Sequence, residues 1–214
     1  MIITAIKQQK RKKNRYSIFI DGEYSFPASD EIVARLRLKE GADVDEDEIR
    51  RVIGEEQRRQ ALDDSFRMLA LRAHSRKELG EKLAHKSFSA EVITATLERL
   101  QELGYINDRN FAAQRLNTLR SQGKGREWIK ADLKDKGMDS ETVADVLAKQ
   151  EFSPQDELAA ARALADKKWP QLAGVPAQAA VRRLAGFLSR RGFSTEAIAG
   201  ALRHIRHKTS EGDE

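Results

Sequence analysis

With 214 residues, a net charge of +5, 40% hydrophobic and 34% charged side chains, the chain has apolar material for folded domains and an unusually charged surface. It holds no cysteine, which excludes a disulfide framework, thiol catalysis and cysteine-based zinc sites. Only 6% of residues are aromatic and 4 are proline, so the cores must be Leu, Ile, Val and Ala, a composition that suits small helical modules.

The N-terminal segment reads as strands. Met1-Ile2-Ile3-Thr4-Ala5-Ile6 is apolar first and basic afterwards, the reverse of a secretory leader. No stretch approaches the roughly 20 apolar residues of a membrane span, so the expected compartment is the cytoplasm. Residues 2–6 are a candidate strand, Tyr16-Ser17-Ile18-Phe19-Ile20 is rich in β-formers, and Asp21-Gly22 is a hairpin turn that brings Glu23-Tyr24-Ser25-Phe26 back. Three short strands bury little alone and must lean on a helix, expected over 29–38 and ended by Gly41. Asp45 or Asp47 starts another, with Ile49, Val52 and Ile53 on its apolar face.

From there the pattern is helical and it repeats. Leu79, Leu83, Phe88, Ile93 and Leu97 form one apolar set. Ile129, Leu133, Met138, Val143 and Leu147 form a second at identical internal spacing, and Leu184, Leu188, Phe193, Ile198 and Leu202 a third. Polar positions recur with them. Lys86, Lys136 and Arg191 are equivalent and are read as helix-end residues against the negative end of a dipole. Ser87, Gly137 or Gly192 takes the C-cap, Ser89, Asp139 or Ser194 caps the next helix, and Glu91, Glu141 or Glu196 sits in its first turn. A further helix precedes each pair, over 61–73, 111–120 and 155–168. Ser75-Arg76-Lys77-Glu78 is a capping box, Gly123-Lys124-Gly125 a break, and Trp169-Pro170 with Gly174-Val175-Pro176 a longer link.

The expected architecture is mainly α: three tandem three-helix repeats in an elongated, curved array, with a small N-terminal β-sheet and helices. The expected divisions are 1–58 for the N-terminal extension, 59–108, 109–153 and 154–208 for the repeats, and 209–214 for a disordered tail. An array suits recognition of an extended partner better than catalysis, which needs a closed pocket.

No constellation for chemistry emerges. Gly123-Lys124-Gly125-Arg126 precedes a helix but lacks P-loop spacing; it reads as an interhelical loop, with contact to a nucleic-acid phosphate left open. His204 and His207 lie on neighbouring turns with no evident carboxylate partner, and His74 and His85 are isolated, so no metal site, cofactor or catalytic residue is expected. What remains is basic: Arg72, Arg76, Lys77 and Lys82 in the first repeat, Arg115, Arg120, Lys124, Arg126 and Lys130 in the second, and Arg182, Arg183, Arg190 and Arg191 in the third. On one face they would neutralise phosphates; a plain solvated surface is the competing reading. Tyr105, Trp128 and Trp169 are the candidate stacking aromatics, and each also fits a core. Charge is segregated: Lys7, Lys10, Arg11, Lys12, Lys13 and Arg15 form a basic run, and 30–56 an acidic one that includes Asp45-Glu46-Asp47-Glu48.

Leu69-Ala70-Leu71-Arg72-Ala73-His74-Ser75-Arg76-Lys77-Glu78-Leu79, then Leu103-Gly104-Tyr105-Ile106-Asn107-Asp108, Phe111-Ala112, Gly123-Lys124-Gly125 and Leu133-Lys134-Asp135-Lys136-Gly137 occur in an order that resembles the RecX family of regulatory proteins. It departs from the family at Lys86-Ser87-Phe88, where a glycine is more usual. The resemblance implies a non-enzymatic, monomeric regulator that binds the RecA–DNA filament groove and inhibits strand exchange, ATP hydrolysis and coprotease activity, with single- or double-stranded DNA as a further partner. The alternative is a basic helical-repeat protein that competes for DNA. The resemblance supplies no catalytic residues and pins no filament contacts to particular positions.

Overall fold

A computed structural model describes residues 1–9, 14–149 and 152–210. The middle of the basic run (10–13) and the end of the expected tail (211–214) lie outside the described residues. The chain divides into two compact units, Met1–Arg72 with Leu79–Tyr105, and Ala73–Glu78 with Ile106 onward.

In the first unit, β1 (Ile3–Gln8), β2 (Arg15–Ile20) and β3 (Glu23–Ser29) pair antiparallel in chain order. Asp21 and Gly22 take φ of 50° and 90°, the left-handed pair a two-residue hairpin needs. Ile3, Ile18, Phe26 and Ala28 are buried together with Ile32 of α1 (Asp30–Arg35), Leu38 and Ile49. Helix α1 is shorter than expected, because Arg37 turns left-handed at φ 48° and the Leu38 amide folds back to the Val33 carbonyl.

The helix starting after Asp45 and the one expected over 61–73 are a single element, α2 (Glu46–Leu71), of 26 residues. Nothing stops it: Glu55-Glu56-Gln57-Arg58-Arg59-Gln60 are strong helix formers, and Arg51–Glu55 and Arg59–Glu56 are ion-paired along it. Much of the acidic excess is spent inside the unit, with Glu31 on Arg59, Glu46 on Arg50 and Glu55 on Arg35. Ala61 and Met68 of α2 pack with Leu83 of α3 (Arg76–His85) and with Val92 and Ile93 of α4 (Ala90–Glu102).

The second unit holds α5 (Asp108–Ser121), α6 (Arg126–Asp135), α7 (Ser140–Lys149), α8 (Pro154–Lys168), α9 (Ala177–Arg190) and α10 (Thr195–Ser210). A 3-10 turn, Trp169–Leu172, follows α8. The core of α5–α7 includes Phe111, Leu116, Leu119, Ile129, Leu133, Met138, Val143 and Leu147. That of α8–α10 is lighter: alanines 161, 165, 180, 197 and 201 surround Leu184, Leu188 and Phe193. Helix α10 runs through Ser210, two residues into the segment read as tail.

The three corners fold alike. Ser87, Gly137 and Gly192 have φ of 66°, 91° and 78°. The following amides of Phe88, Met138 and Phe193 return to the carbonyls of Leu83, Leu133 and Leu188. Ser89, Asp139 and Ser194 then accept from Val92, Thr142 and Ala197. The Thr142 amide holds the Asp139 carboxyl below the usual aspartate range.

Candidate functional site

The recurring corner does more than turn the chain. Inside the second unit, the first turn of α3 (residues 76–78) and the first turn of α6 each receive a later corner. Lys77 Nζ donates to the Asp135 carbonyl at 2.7 Å, Lys136 pairs with Glu78 at 3.0 Å, and the Arg76 amide donates to Asp108 Oδ1 at 2.8 Å. On α6, the Gly125 and Glu127 amides donate to the carbonyls of Arg191 and Gly192 at 2.8 and 3.0 Å, and the Arg126 amide donates to Glu157 Oε1 at 2.9 Å. Backbone meets backbone here: a methyl group on Gly125 would lie 2.4 Å from Gly192, and one on Gly192 would lie 2.3 Å from the Trp128 nitrogen. Glycine is a packing requirement at both positions, and at Gly192, with φ of 78°, a conformational one as well.

Two expectations change. The glycine-rich loop does not present free amides to a phosphate, because the amides of residues 123–127 all donate within the chain. Lys136 and Arg191 take the C-cap positions of α6 and α9, as expected, but their side chains do not turn back on those helices. Lys136 reaches Glu78, and Arg191 Nη1 donates to the carbonyls of Gln122 and Gly123 at 3.0 and 3.3 Å. Lys86 likewise reaches Asp64 in the first unit, at 3.0 Å. These long side chains reach past their own helix dipole to a partner that carries a full charge or an orphan carbonyl, a stronger acceptor than the partial charge at the helix end.

Glu157 was not singled out from sequence. It is 3% exposed, and its carboxylate also accepts from the Ser194 amide at 3.2 Å and the Ser194 hydroxyl at 2.8 Å. One buried carboxylate therefore caps the starts of α6 and α10 together. The histidine reading is corrected too. His204 Nε2 faces Asp166 of α8 at 3.1 Å, and Lys208 donates to the same carboxylate. His74 is buried with Nδ1 3.4 Å from Glu78. Among the described residues no group of three His, Asp or Glu side chains could hold a metal.

The expected contact residues fall into two classes. Arg115 grips Asp132 through two bonds of 2.8 Å, and Asp132 in turn holds the guanidinium charged. Arg126 Nη1 donates to the Phe152 carbonyl, and Lys130 pairs with Glu127. Arg120 lies over Phe152 at 4.8 Å, and Lys124 lies over Trp128 at 4.1 Å. With Lys77 and Arg191, these side chains are engaged inside the fold; Arg72 and Arg76 also have partners. Lys82, Arg182, Arg183 and Arg190 are exposed and carry no ion pair among the described residues. The last three share one face of α9, opposite buried Ala180, Leu184 and Leu188, around a groove of about 450 Å³ lined also by Ala179 and Gly186. Of the aromatics, Tyr105 is 56% exposed and edge-on to Phe66, while Trp128 and Trp169 are half-buried against the cores.

Four family models match the chain in order: the regulatory protein RecX N-terminal domain over 1–45, and the first, second and third RecX three-helix domains over 61–100, 107–147 and 155–202. A protein of Bacillus licheniformis named regulatory protein RecX is 30% identical over 99% of this chain and 80% of its own length. The chain belongs to the RecX family. The RecX of Bacillus subtilis is 28% identical over the same shares. A crystal structure titled regulatory protein RecX superposes with a TM-score of 0.66 and 25% identity, covering 94% of this chain and 98% of that one. RecX from Lactobacillus salivarius has the same fold, with a TM-score of 0.63 over 71% of this chain. The three-helix repeats and the small N-terminal sheet are thus the RecX architecture, and the family is described as regulatory. Among the described residues no helix is long and apolar enough to cross a membrane.

Proposed function

We propose that this RecX is a negative regulator of the RecA recombinase, seated by its helical repeats in the groove of the RecA–DNA filament. It acts as a cytoplasmic monomer, without cofactor or metal. Occupancy of the groove blocks a second DNA strand and the coprotease substrate, and lowers ATP hydrolysis and strand exchange. The observation that carries this reading is membership, over nearly the whole chain, in a family named for regulation. The physical form of the protein supports binding over reaction: the buried Glu157 carboxylate is consumed in joining helices, and Arg182, Arg183 and Arg190, without an ion pair among the described residues, lie on an outer helix face. Residues 72, 76, 77, 82, 115, 120, 124, 126, 130, 182, 183, 190 and 191 stay the candidate contact set, with Lys82, Arg182, Arg183 and Arg190 first among them.

The test measures binding to RecA without DNA, and to DNA without RecA, across a salt series. RecA binding that persists without DNA supports the proposal. A chain that ignores RecA at every salt concentration is instead a competitor for DNA, and the proposal falls.

A further inference from the structure

Glycine inside a helix costs about 1 kcal/mol relative to alanine and calls for a reason. Gly80 and Gly200 have one, since a methyl group there would press on Leu97 at 3.3 Å and on Leu158 at 2.5 Å. Gly186, in the middle of α9, has none among the described residues: there its methyl would meet only the Arg190 Nη1 atom, at 3.2 Å, the far end of a flexible side chain. Gly186 lies on the floor of the groove between Arg182, Arg183 and Arg190. Gly54 of α2 is similarly unconstrained, but its groove opposes Arg58 with Glu91 and has no single sign of charge.

From this we infer that the α9 groove is a seat for the phosphodiester backbone of nucleic acid, and that Gly186 lets that backbone approach the helix closely. The inference rests on the reading that the chain works on a nucleoprotein filament. Three guanidiniums, without carboxylate partners among the described residues, wall the groove, each able to fork onto phosphate oxygens. Arg182 to Arg190 spans about 12 Å of helix, room for more than one phosphate. The lining carries no aromatic, so bases are not stacked and sequence is not read. It also lacks the large apolar anchor that the centre of a protein–protein contact carries, with only Ala179 and Gly186 between the arginines.

The experiment uses the full chain and a fluorescently labelled oligothymidylate, without RecA. Gly186→Ala should raise the thermal midpoint by about 2–4 °C and, at the same time, weaken oligonucleotide binding several-fold. A merely structural glycine would not move the two in opposite directions. Arg182→Gln, Arg183→Gln and Arg190→Gln combined should lower the slope of log affinity against log salt by about 2. Unchanged affinity and slope in both variants overturn the inference. If those variants instead lose RecA binding measured without DNA, the groove holds an acidic protein surface and the inference is equally overturned. Failure of the wild-type chain to inhibit RecA, with the oligonucleotide results as expected, removes the proposed function and leaves the nucleic-acid seat standing.

Discussion

Replacing Glu157 tests how the helical modules are joined. Its carboxylate accepts three hydrogen bonds, two from backbone amides at the starts of α6 and α10 and one from the Ser194 hydroxyl. Bonds to a charged acceptor contribute about 1.5–3 kcal/mol each. Deleting the side chain also recovers the desolvation of a group only 3% exposed, an offset of several kcal/mol. The net cost of Glu157→Ala is then about 2–4 kcal/mol. Glu157→Gln is the informative control. Both amides bond to Oε1, which glutamine retains, and the Ser194 hydroxyl can rotate to accept from the new amide. Only the charge–dipole attraction at two helix starts is lost, about 1–2 kcal/mol in all. Urea denaturation followed by far-ultraviolet circular dichroism would give the order wild type, Gln, Ala. Equal costs for the two variants, or an alanine cost below about 1 kcal/mol, would refute the capping argument.

The other expectations follow from single contacts. Gly192→Ala adds a methyl at φ 78°, 2.3 Å from the Trp128 nitrogen; it should destabilise by about 3 kcal/mol or more, read from the same urea curves. Ser87→Gly relaxes a left-handed serine at an exposed corner, so it should stabilise by about 0.5–1 kcal/mol, and a lower urea midpoint would contradict that. Leu133→Ala empties a fully buried position and should cost about 2–5 kcal/mol in chemical denaturation. Lys208, and then the His204 ring, hold the Asp166 carboxyl below the ordinary aspartate value. With the folded value depressed, the stabilisation is present above the unfolded value of about 3.9 and is lost as pH falls through the folded one. Asp166 is about one-third exposed, so Asp166→Asn should cost at most about 1 kcal/mol at neutral pH. Its stability should converge with wild type as pH falls through the folded value, and a pH-independent difference would argue against the ion pairs.

What could be read from the residues follows the range of the interactions. The hairpin at Asp21-Gly22, the three corners and the caps at Ser89, Asp139 and Ser194 are local, set by residues within a few positions of one another, and they are where the spacing puts them. The five-position apolar sets are buried or half-buried in all three repeats, because period and volume decide which face turns inward. The continuity of α2 was missed because apolar periodicity lapses in its middle, where ion pairs along the helix surface hold it instead. The joints were missed for a different reason. Gly125 meeting Gly192 and Glu157 meeting Arg126 are contacts between distant positions, and the same glycine-rich run that resembles an anion loop is filled by the chain's own carbonyls. The arginine groove was half visible. The cations stood out, but the meaning of Gly186, four residues after Arg182 and four before Arg190, emerges only when nothing in the fold is found to require it.

Electron cryomicroscopy of the protein bound to a RecA–DNA filament addresses the proposed function most directly. Added density running along the filament groove, bridging neighbouring protomers and fitted by the three-helix repeats, is the predicted outcome. Filaments of unaltered groove, with the protein found only on bare DNA or free in solution, would contradict it.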